Sequence, residues 1–344
     1  MAPPGWGRAV RLARAVEGAI RRRSRRGVIL LYHRVAGPRF DPLLLDVSPA
    51  NFDAQLAVLR RETDVLPLAE FERRRRAGTL PPRASAVTFD DGYADNLHAA
   101  APALARHAVP ATVFVASGMV GAGGEFWWDD VERIAFTASA LAAPAPIARV
   151  EWDGDGGAPG AASALPSWNV EMPGTPTARH SLYRALLAAV RPLEPGKQSR
   201  AVSALRRWAG VPDGARPTHR ALTAEELAEL AGRPGVAIGS HTVTHPVLAL
   251  LDEAAQRDEL MACRAALART TGRAVDALAY PFGTRADVSR ASTRAARAAG
   301  YDVAFANEPA TAWRGSSRWR VPRLLVRDWS GEEFSRRLAA WWQL

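Results

Sequence analysis

From residue 28 onward the chain alternates short, fully apolar runs with longer stretches whose apolar positions recur every three to four residues. This is the pattern of strands followed by helices. Residues 28–33, 86–90, 111–116, 236–240, 276–280, 303–306 and 319–326 read as strands. Ser48 and Pro49 open a helix that runs to about residue 61, with Ser48 as N-cap and Pro49 in the first turn. Further helices are expected at 68–76, 96–107, 253–270, 286–299 (stopped by Gly300) and 332–342. Another begins at Thr223, where Glu226 completes a capping box, and runs to residue 231. Strands that alternate with helices pair in parallel, and seven or eight such units predict a barrel. Functional groups then belong at the carboxyl ends of the strands. His33, Asp90-Asp91, Ser240-His241 and Tyr280-Pro281-Phe282-Gly283 all fall at such ends.

Residues 121–220 break this rhythm. Their middle, 142–178, is rich in Ala, Gly and Pro, with helical pieces on either side at 129–138 and 180–190. The expected organisation is a leader (1–27), a first part of the barrel (28–120), an insertion (121–220) and a second part (221–344). The insertion reads either as a lid or cleft wall, or as a variable surface decoration.

A hydrophobic content of 48% and a charged content of 23% are those of a soluble globular protein. No apolar run reaches the ~18 residues that a membrane span needs. The net charge of +10 suggests nucleic acid at first sight, but residues 1–28 hold eight arginines against Glu17 alone. The other 316 residues therefore carry only +3, and no nucleic-acid partner is expected. Residues 8–26 form a basic, partly amphipathic stretch. It reads as a peripheral contact with an anionic membrane surface or as a solvated leader. It lacks the apolar core of a secretion signal, so a cytoplasmic location is expected, with peripheral attachment at the inner membrane as a variant. The single cysteine, Cys263, excludes an internal disulfide and a cysteine-based zinc site.

The chemistry concentrates in Thr88-Phe89-Asp90-Asp91-Gly92-Tyr93 and Gly239-Ser240-His241-Thr242-Val243-Thr244-His245-Pro246. Adjacent carboxylates at the end of a buried strand are costly unless a cation holds them. Pro246 disfavours helix at His245, which puts the two histidines on a loop. Two imidazoles and one carboxylate make a three-ligand site for a divalent metal with positions left open. The other carboxylate is then free to take a proton from water at the metal. The sequence alone leaves open which aspartate does which.

These two motifs, with Tyr280-Pro281-Phe282-Gly283, resemble those of the NodB-homology polysaccharide deacetylases (carbohydrate esterase family 4) over roughly residues 28–120 and 220–330. The resemblance implies an α/β fold, a distorted (β/α)7-type barrel with an inserted subdomain. The implied activity is metal-dependent N-deacetylation of an amino sugar in a glycan or glycolipid, within envelope or exopolysaccharide synthesis. It further implies Asp90 as general base, Asp91, His241 and His245 as ligands of a divalent metal (most often zinc), and the Phe282 N–H as an oxyanion donor. Tyr93 and Tyr280, the tyrosines of the first and third motifs, are candidate substrate contacts. Trp127, beside Trp128, is a candidate platform for a sugar ring. Two departures stand out. The arginine that the family often pairs with its base is replaced by Ala279, and Arg323 is the candidate substitute, with a surface role as the alternative. No histidine follows His245 to serve as the late general acid. Leu31-Tyr32-His33 resembles instead the poly-N-acetylglucosamine deacetylase branch, in which His33 would protonate the leaving amine; a structural histidine at the rim is the alternative. Other readings are an amidase or deformylase acting on a non-polymeric sugar, and a glycan-binding pseudoenzyme, which Ala279 favours.

Overall fold

The computed structural model describes residues 25–37, 40–139, 141–147, 150–154 and 167–343. Nearly all of the basic leader, and with it the membrane-contact candidate, lies outside the described residues.

Seven strands follow the expected order: β1 (Arg26–Tyr32), β2 (Ala84–Phe89), β3 (Ala111–Val115), β4 (Val236–Ser240), β5 (Ala277–Ala279), β6 (Val303–Phe305) and β7 (Leu324–Leu325). Each of β1 to β5 pairs in parallel with the next. The last segment then joins the two ends. Val321 bridges in parallel to Phe305, and Leu324 pairs in parallel with Leu30 of β1. The result is a curled, mostly parallel sheet of the (β/α)7 kind. Parallel strands covered on both faces read as unbroken apolar runs, as Val28-Ile29-Leu30-Leu31 does. Alternate residues serve different layers. Ile29, Ala86, Phe114, Ala279 and Phe305 fill the inside, whereas Val28, Leu30, Val87 and Val113 meet the surrounding helices.

The helices are α1 (Pro49–Glu62), α2 (Leu68–Ala77), α3 (Ala101–Arg106), α4 (Trp127–Thr137), α5 (Ala178–Val190), α6 (Pro195–Ala209), α7 (Ala224–Gly232), α8 (Glu253–Thr271), α9 (Arg290–Ala298) and α10 (Gly331–Trp341). Ser48 caps α1 by accepting from the Asn51 N–H, and the Thr223–Glu226 capping box opens α7. Trp341 packs near Trp329 and Phe334, and Cys263 is buried in α8. Among the described residues no helix is long and apolar enough to cross a membrane.

Several boundaries differ from the sequence reading, each for a local reason. The helix expected over 96–107 begins as a π-helical turn at Asn96–Ala100, because Pro102 has no N–H to continue the ladder. The helix expected from 286 starts at Arg290. Residues 284–289 form a turn around the Asp287 carboxylate, and Ser289 is the N-cap of α9. The strand expected over 319–326 survives only as Val321 and Leu324–Leu325, with Pro322 and Arg323 interrupting it.

The insertion has its own core. Val131 and Ile134 of α4, Tyr183 and Leu186 of α5, and Val202 and Leu205 of α6 pack together. Helix α6 was not anticipated. Its buried face is Gln198, Val202, Leu205 and Ala209, which is helical spacing, but only two of the four are large apolar residues.

Candidate functional site

Strand β2 ends at Phe89, yet Asp90 is still held to the sheet, its N–H donating to the Tyr32 carbonyl at 3.0 Å. The chain then reverses. Asp91 and Gly92 both adopt left-handed backbone, with φ of 77° and 85°. A Cβ at Gly92 would come within 2.9 Å of the Val115 side chain, so the reversal requires glycine there. This turn gives the two neighbouring carboxylates different partners.

Asp90 meets Arg323. Nη1 and Nη2 donate to Oδ1 and Oδ2, each at 2.7 Å, a fork-to-fork pairing that is fully buried. Nη1 also reaches Thr88 Oγ1 at 3.3 Å, and the guanidinium lies over the Phe114 ring. The interruption of the last strand at Pro322-Arg323 is therefore the place where this cation reaches the centre of the barrel. Ala279 lies in the barrel interior, in one apolar cluster with Phe305 and Phe114, and has no polar side chain to offer. Burial alone would raise the Asp90 carboxyl. The Arg323 guanidinium, with His241, outweighs it and holds the group below its ordinary value.

Asp91 meets the two histidines. Its Oδ1 lies 3.4 Å from His241 Nε2 and 3.3 Å from His245 Nε2, with all three side chains buried. His241 Nδ1 lies 2.8 Å from the Ala279 carbonyl and must donate to it, which leaves Nε2 with its lone pair directed at Asp91. Asp91 Oδ1 and His245 Nδ1 are buried with no hydrogen-bond partner among the described residues. An orphaned anionic oxygen between two imidazole nitrogens fits a divalent cation. Burial opposes ionisation of Asp91, but its interactions with His241 and His245 drive its carboxyl well below the carboxylate range. Burial pulls His245 down, while Asp90 and Asp91 overcome burial at His241 and raise it.

The histidine loop is strained and braced. Thr242, His245 and Phe282 all adopt positive φ without being glycine. Glu259 of α8 accepts the Val243 and Thr244 N–H groups at 2.8 and 2.9 Å and the Thr244 hydroxyl at 2.6 Å. His245 is held by packing, with the Trp128 and Phe282 rings each 4.8 Å away, edge to face.

These groups open into a cavity of about 350 Å³. Asp90, Asp91, His241, His245, His33, Phe282 and Trp127 all line it. Burial lowers His33 despite the nearby Asp91 and Asp90, and its Nδ1 has no partner among the described residues. The structure does not bring Tyr93 and Tyr280 to this cavity. Tyr93 is fully buried, donating to Asp129 at 2.6 Å and accepting from Trp128 Nε1 at 2.9 Å, so it acts as a strut. Tyr280 follows β5 inside the core, where burial pushes its hydroxyl above the ordinary value. Both belong to the motifs without pointing where the motifs act.

One side of the cavity comes from the insertion: Trp127 and Trp128 from the start of α4, and Leu187 and Arg191 from the end of α5. Arg191 lies over the Phe282 ring at 4.3 Å and pairs with buried Asp287, which also accepts the Thr284 N–H and hydroxyl. The sequence reading missed Leu187, Arg191, Asn307 and Arg327. Thr284-x-x-Asp287, directly after Gly283, is a turn signature that would have marked the anchor of Arg191.

A second group, Asp129, Glu132 and His219, is also compact enough to hold an ion. Its groups already have partners within the protein. Glu132 takes Arg216 through both oxygens, Asp129 takes the Tyr93 hydroxyl, and burial with Arg34 and Arg216 lowers His219 to about 3. This is a network that ties the insertion to the barrel.

Residues 77–138 and 209–304 match the family described as polysaccharide deacetylase. The unmatched gap falls within the insertion. No curated protein matches the sequence. Among solved structures, the Streptococcus pyogenes deacetylase PplD in complex with acetate is similar over 92% of this chain and 99% of its own, at 16% identity and a TM-score of 0.59. IcaB from Ammonifex degensii is similar over 93% and 97%, at 19% identity and a TM-score of 0.58. A de-N-acetylase from Aggregatibacter actinomycetemcomitans is similar over 91% and 99%, at 16% identity and a TM-score of 0.55. At these identities the likeness is one of fold.

Proposed function

The chain carries a polysaccharide deacetylase domain and is an enzyme of the deacetylase class, and from that premise we propose that it removes N-acetyl groups from an amino sugar in a glycan or lipid-linked saccharide, with a divalent metal, zinc by preference, held by Asp91, His241 and His245. The observation that carries the reading is the split of the aspartate pair: one carboxylate lies between two imidazoles, the other is clamped by a buried arginine. An N/O donor set of two histidines and one carboxylate suits zinc. When bound, such an ion supplies Lewis acidity to an acetamide carbonyl and makes a neighbouring water easier to deprotonate.

The residues of the chain do the rest. Arg323 keeps Asp90 anionic inside the protein, and Asp90 takes the proton of the water that adds to the acetyl carbon. The Phe282 N–H contributes a hydrogen bond to the developing oxyanion. His33, on the end of β1 facing the same cavity, gives its proton to the departing nitrogen as the C–N bond breaks, and acetate and a free amine leave. Burial lowers His33 while Asp91 and Asp90 oppose it, so the imidazole has to take up a proton within the site before it passes one to nitrogen. The Arg323–Asp90 pair supports the catalytic reading over a pseudoenzyme, since it gives Asp90 a buried cation that Ala279 does not supply.

The test is mass spectrometry of N-acetylglucosamine oligomers and lipid-linked N-acetylhexosamines incubated with zinc-loaded protein. The loss of one acetyl group per turnover is expected, abolished by chelation. Removal of formyl but not acetyl groups would move the reading to a deformylase.

A further inference from the structure

The network between the insertion and the barrel holds more negative charge than its partners balance. Asp41, Asp46, Asp95, Asp129 and Glu132 gather around two guanidiniums, Arg34 and Arg216. The neighbouring Glu125 is shared between Arg133 and Arg216, so that pairing relieves none of the excess. Buried like charges must either take up protons or meet a cation. Burial raises Asp41, Asp46, Asp129 and Glu132 above the ordinary carboxylate value, Asp46 to about 8.

Asp46, Asp129, Glu132 and His219 line a cavity of about 10 Å³, close to the room one water or one bare ion needs. Two polar groups of the residues around it have nothing to bond. Asp46 Oδ1 and the Tyr183 hydroxyl belong to side chains more than nine-tenths buried, and neither has a hydrogen-bond partner among the described residues. A network of salt bridges alone leaves these two atoms unexplained. Asp129, Glu132 and His219 each offer a ligand atom within 4.8 Å of the others. His219 Nδ1 lies 2.8 Å from Thr218 Oγ1, and its Nε2 lies 3.8 Å from Glu132 Oε2. Burial, with Arg34 and Arg216, keeps the ring neutral, the form that binds metal.

We infer that this cluster is a second divalent-cation site, separate from the one at Asp91, with Asp46, Asp129, Glu132 and His219 as ligands and Mn²⁺ as the ion it suits. Three carboxylates and one imidazole form an oxygen-dominated set, harder than the two-histidine set that suits zinc. Mg²⁺ keeps several waters and Ca²⁺ takes six to eight oxygens, and a cavity of this size serves neither. The ligands come from the segment after β1, from α4 and from the segment before α7, so the ion would pin the insertion to the barrel. Trp128 lines this cavity and the catalytic one, and it packs against His245. The inference stands independently of the deacetylase reading.

The experiment titrates Mn²⁺ into zinc-loaded protein, counting bound Mn²⁺ by electron paramagnetic resonance and zinc by metal analysis of the same samples. Wild type is expected to bind one Mn²⁺ without losing zinc, and its melting temperature should rise by about 5 °C at a hundredfold excess over Kd. His241→Ala should still bind Mn²⁺. Asp46→Asn and His219→Asn should each weaken Mn²⁺ about tenfold or more while zinc stays bound, and two variants guard against one that misfolds. No Mn²⁺ bound at up to about 1 mM would overturn the site and leave protons as what neutralises the cluster. Mn²⁺ that only displaces zinc, that is lost in folded His241→Ala, or that binds unchanged to both folded cluster variants would equally overturn it.

Discussion

The rim of the barrel and the wall contributed by the insertion face each other across one cavity, and they are built on different principles. At the rim Asp90, Asp91 and His241 are fixed by backbone. Asp90 is still bonded to the sheet, Asp91 sits on a left-handed turn, and His241 is steered by the Ala279 carbonyl. Each has a buried polar neighbour that fixes its protonation as well as its position. The wall is built by packing. Trp127, Leu187 and Arg191 project from helices whose stability comes from a separate apolar core, and the wall touches the rim through ring contacts with His245 and Phe282. A rim of this kind tolerates almost no displacement. A wall of this kind can be remodelled without moving the chemistry, and that separates reaction from recognition.

The contrast can be broken, or sharpened, by substitution. The largest effect is expected at the rim. His241→Ala removes one of three candidate metal ligands and should abolish both zinc retention in equilibrium dialysis and acetate release, whereas wall variants should keep their zinc. Next comes Arg323→Leu, which leaves Asp90 buried without a counter-charge at a cost of about 3–5 kcal/mol. Its melting temperature should fall, and the acidic limb of its pH–rate profile should move upward, because burial then raises Asp90 against the weaker opposition of His241 and His33. If that variant folds and shows an unchanged acidic limb, Asp90 is not the base. A smaller effect is expected at the wall. Arg191→Ala removes a cavity-lining cation anchored on Asp287, and should raise KM about tenfold for oligosaccharides with kcat nearly retained. A loss confined to kcat would show that wall and rim are not separable.

The smallest effect concerns the junction of the two regions. Asp46 is buried, its Oδ1 has no partner among the described residues, and its Oδ2 lies 3.4 Å from Arg34, so burial pushes it up to about 8. A carboxyl whose folded pKa is raised binds its proton more tightly when folded. Its stabilising contribution is complete below the unfolded value near ~4 and is lost as pH rises through about 8. Asp46→Asn, which mimics the protonated form, should flatten the decline in melting temperature between those limits. An identical slope in wild type and variant would remove Asp46 from the account.

The same division explains what the sequence disclosed. Strand ends that carry Asp90-Asp91 and His241-x-x-x-His245 are legible, because buried parallel strands are unbroken apolar runs and the polar residues that end them stand out. Six of the seven strands lie close to their expected places. The seventh was expected to be continuous; its break at Pro322-Arg323 is visible only once Asp90 is known to need a cation in three dimensions. The wall was illegible for the opposite reason. Leu187 and Arg191 belong to no motif, and α6 buries a glutamine and an alanine at two of its four inward positions. Tyr93 and Tyr280 show the limit of motif reading, since a residue can belong to a functional signature by supporting it from behind.

The central claim is that adjacent aspartates have separate tasks, Asp91 holding the metal and Asp90 moving the proton. Parallel measurement of zinc content and acetate release for purified Asp90→Asn and Asp91→Asn tests it directly. Asp90→Asn should retain zinc and release acetate about 10²–10⁴-fold more slowly than wild type, while Asp91→Asn should lose the zinc itself. Near-normal acetate release by zinc-loaded Asp90→Asn, or full zinc retention by Asp91→Asn, would contradict the account.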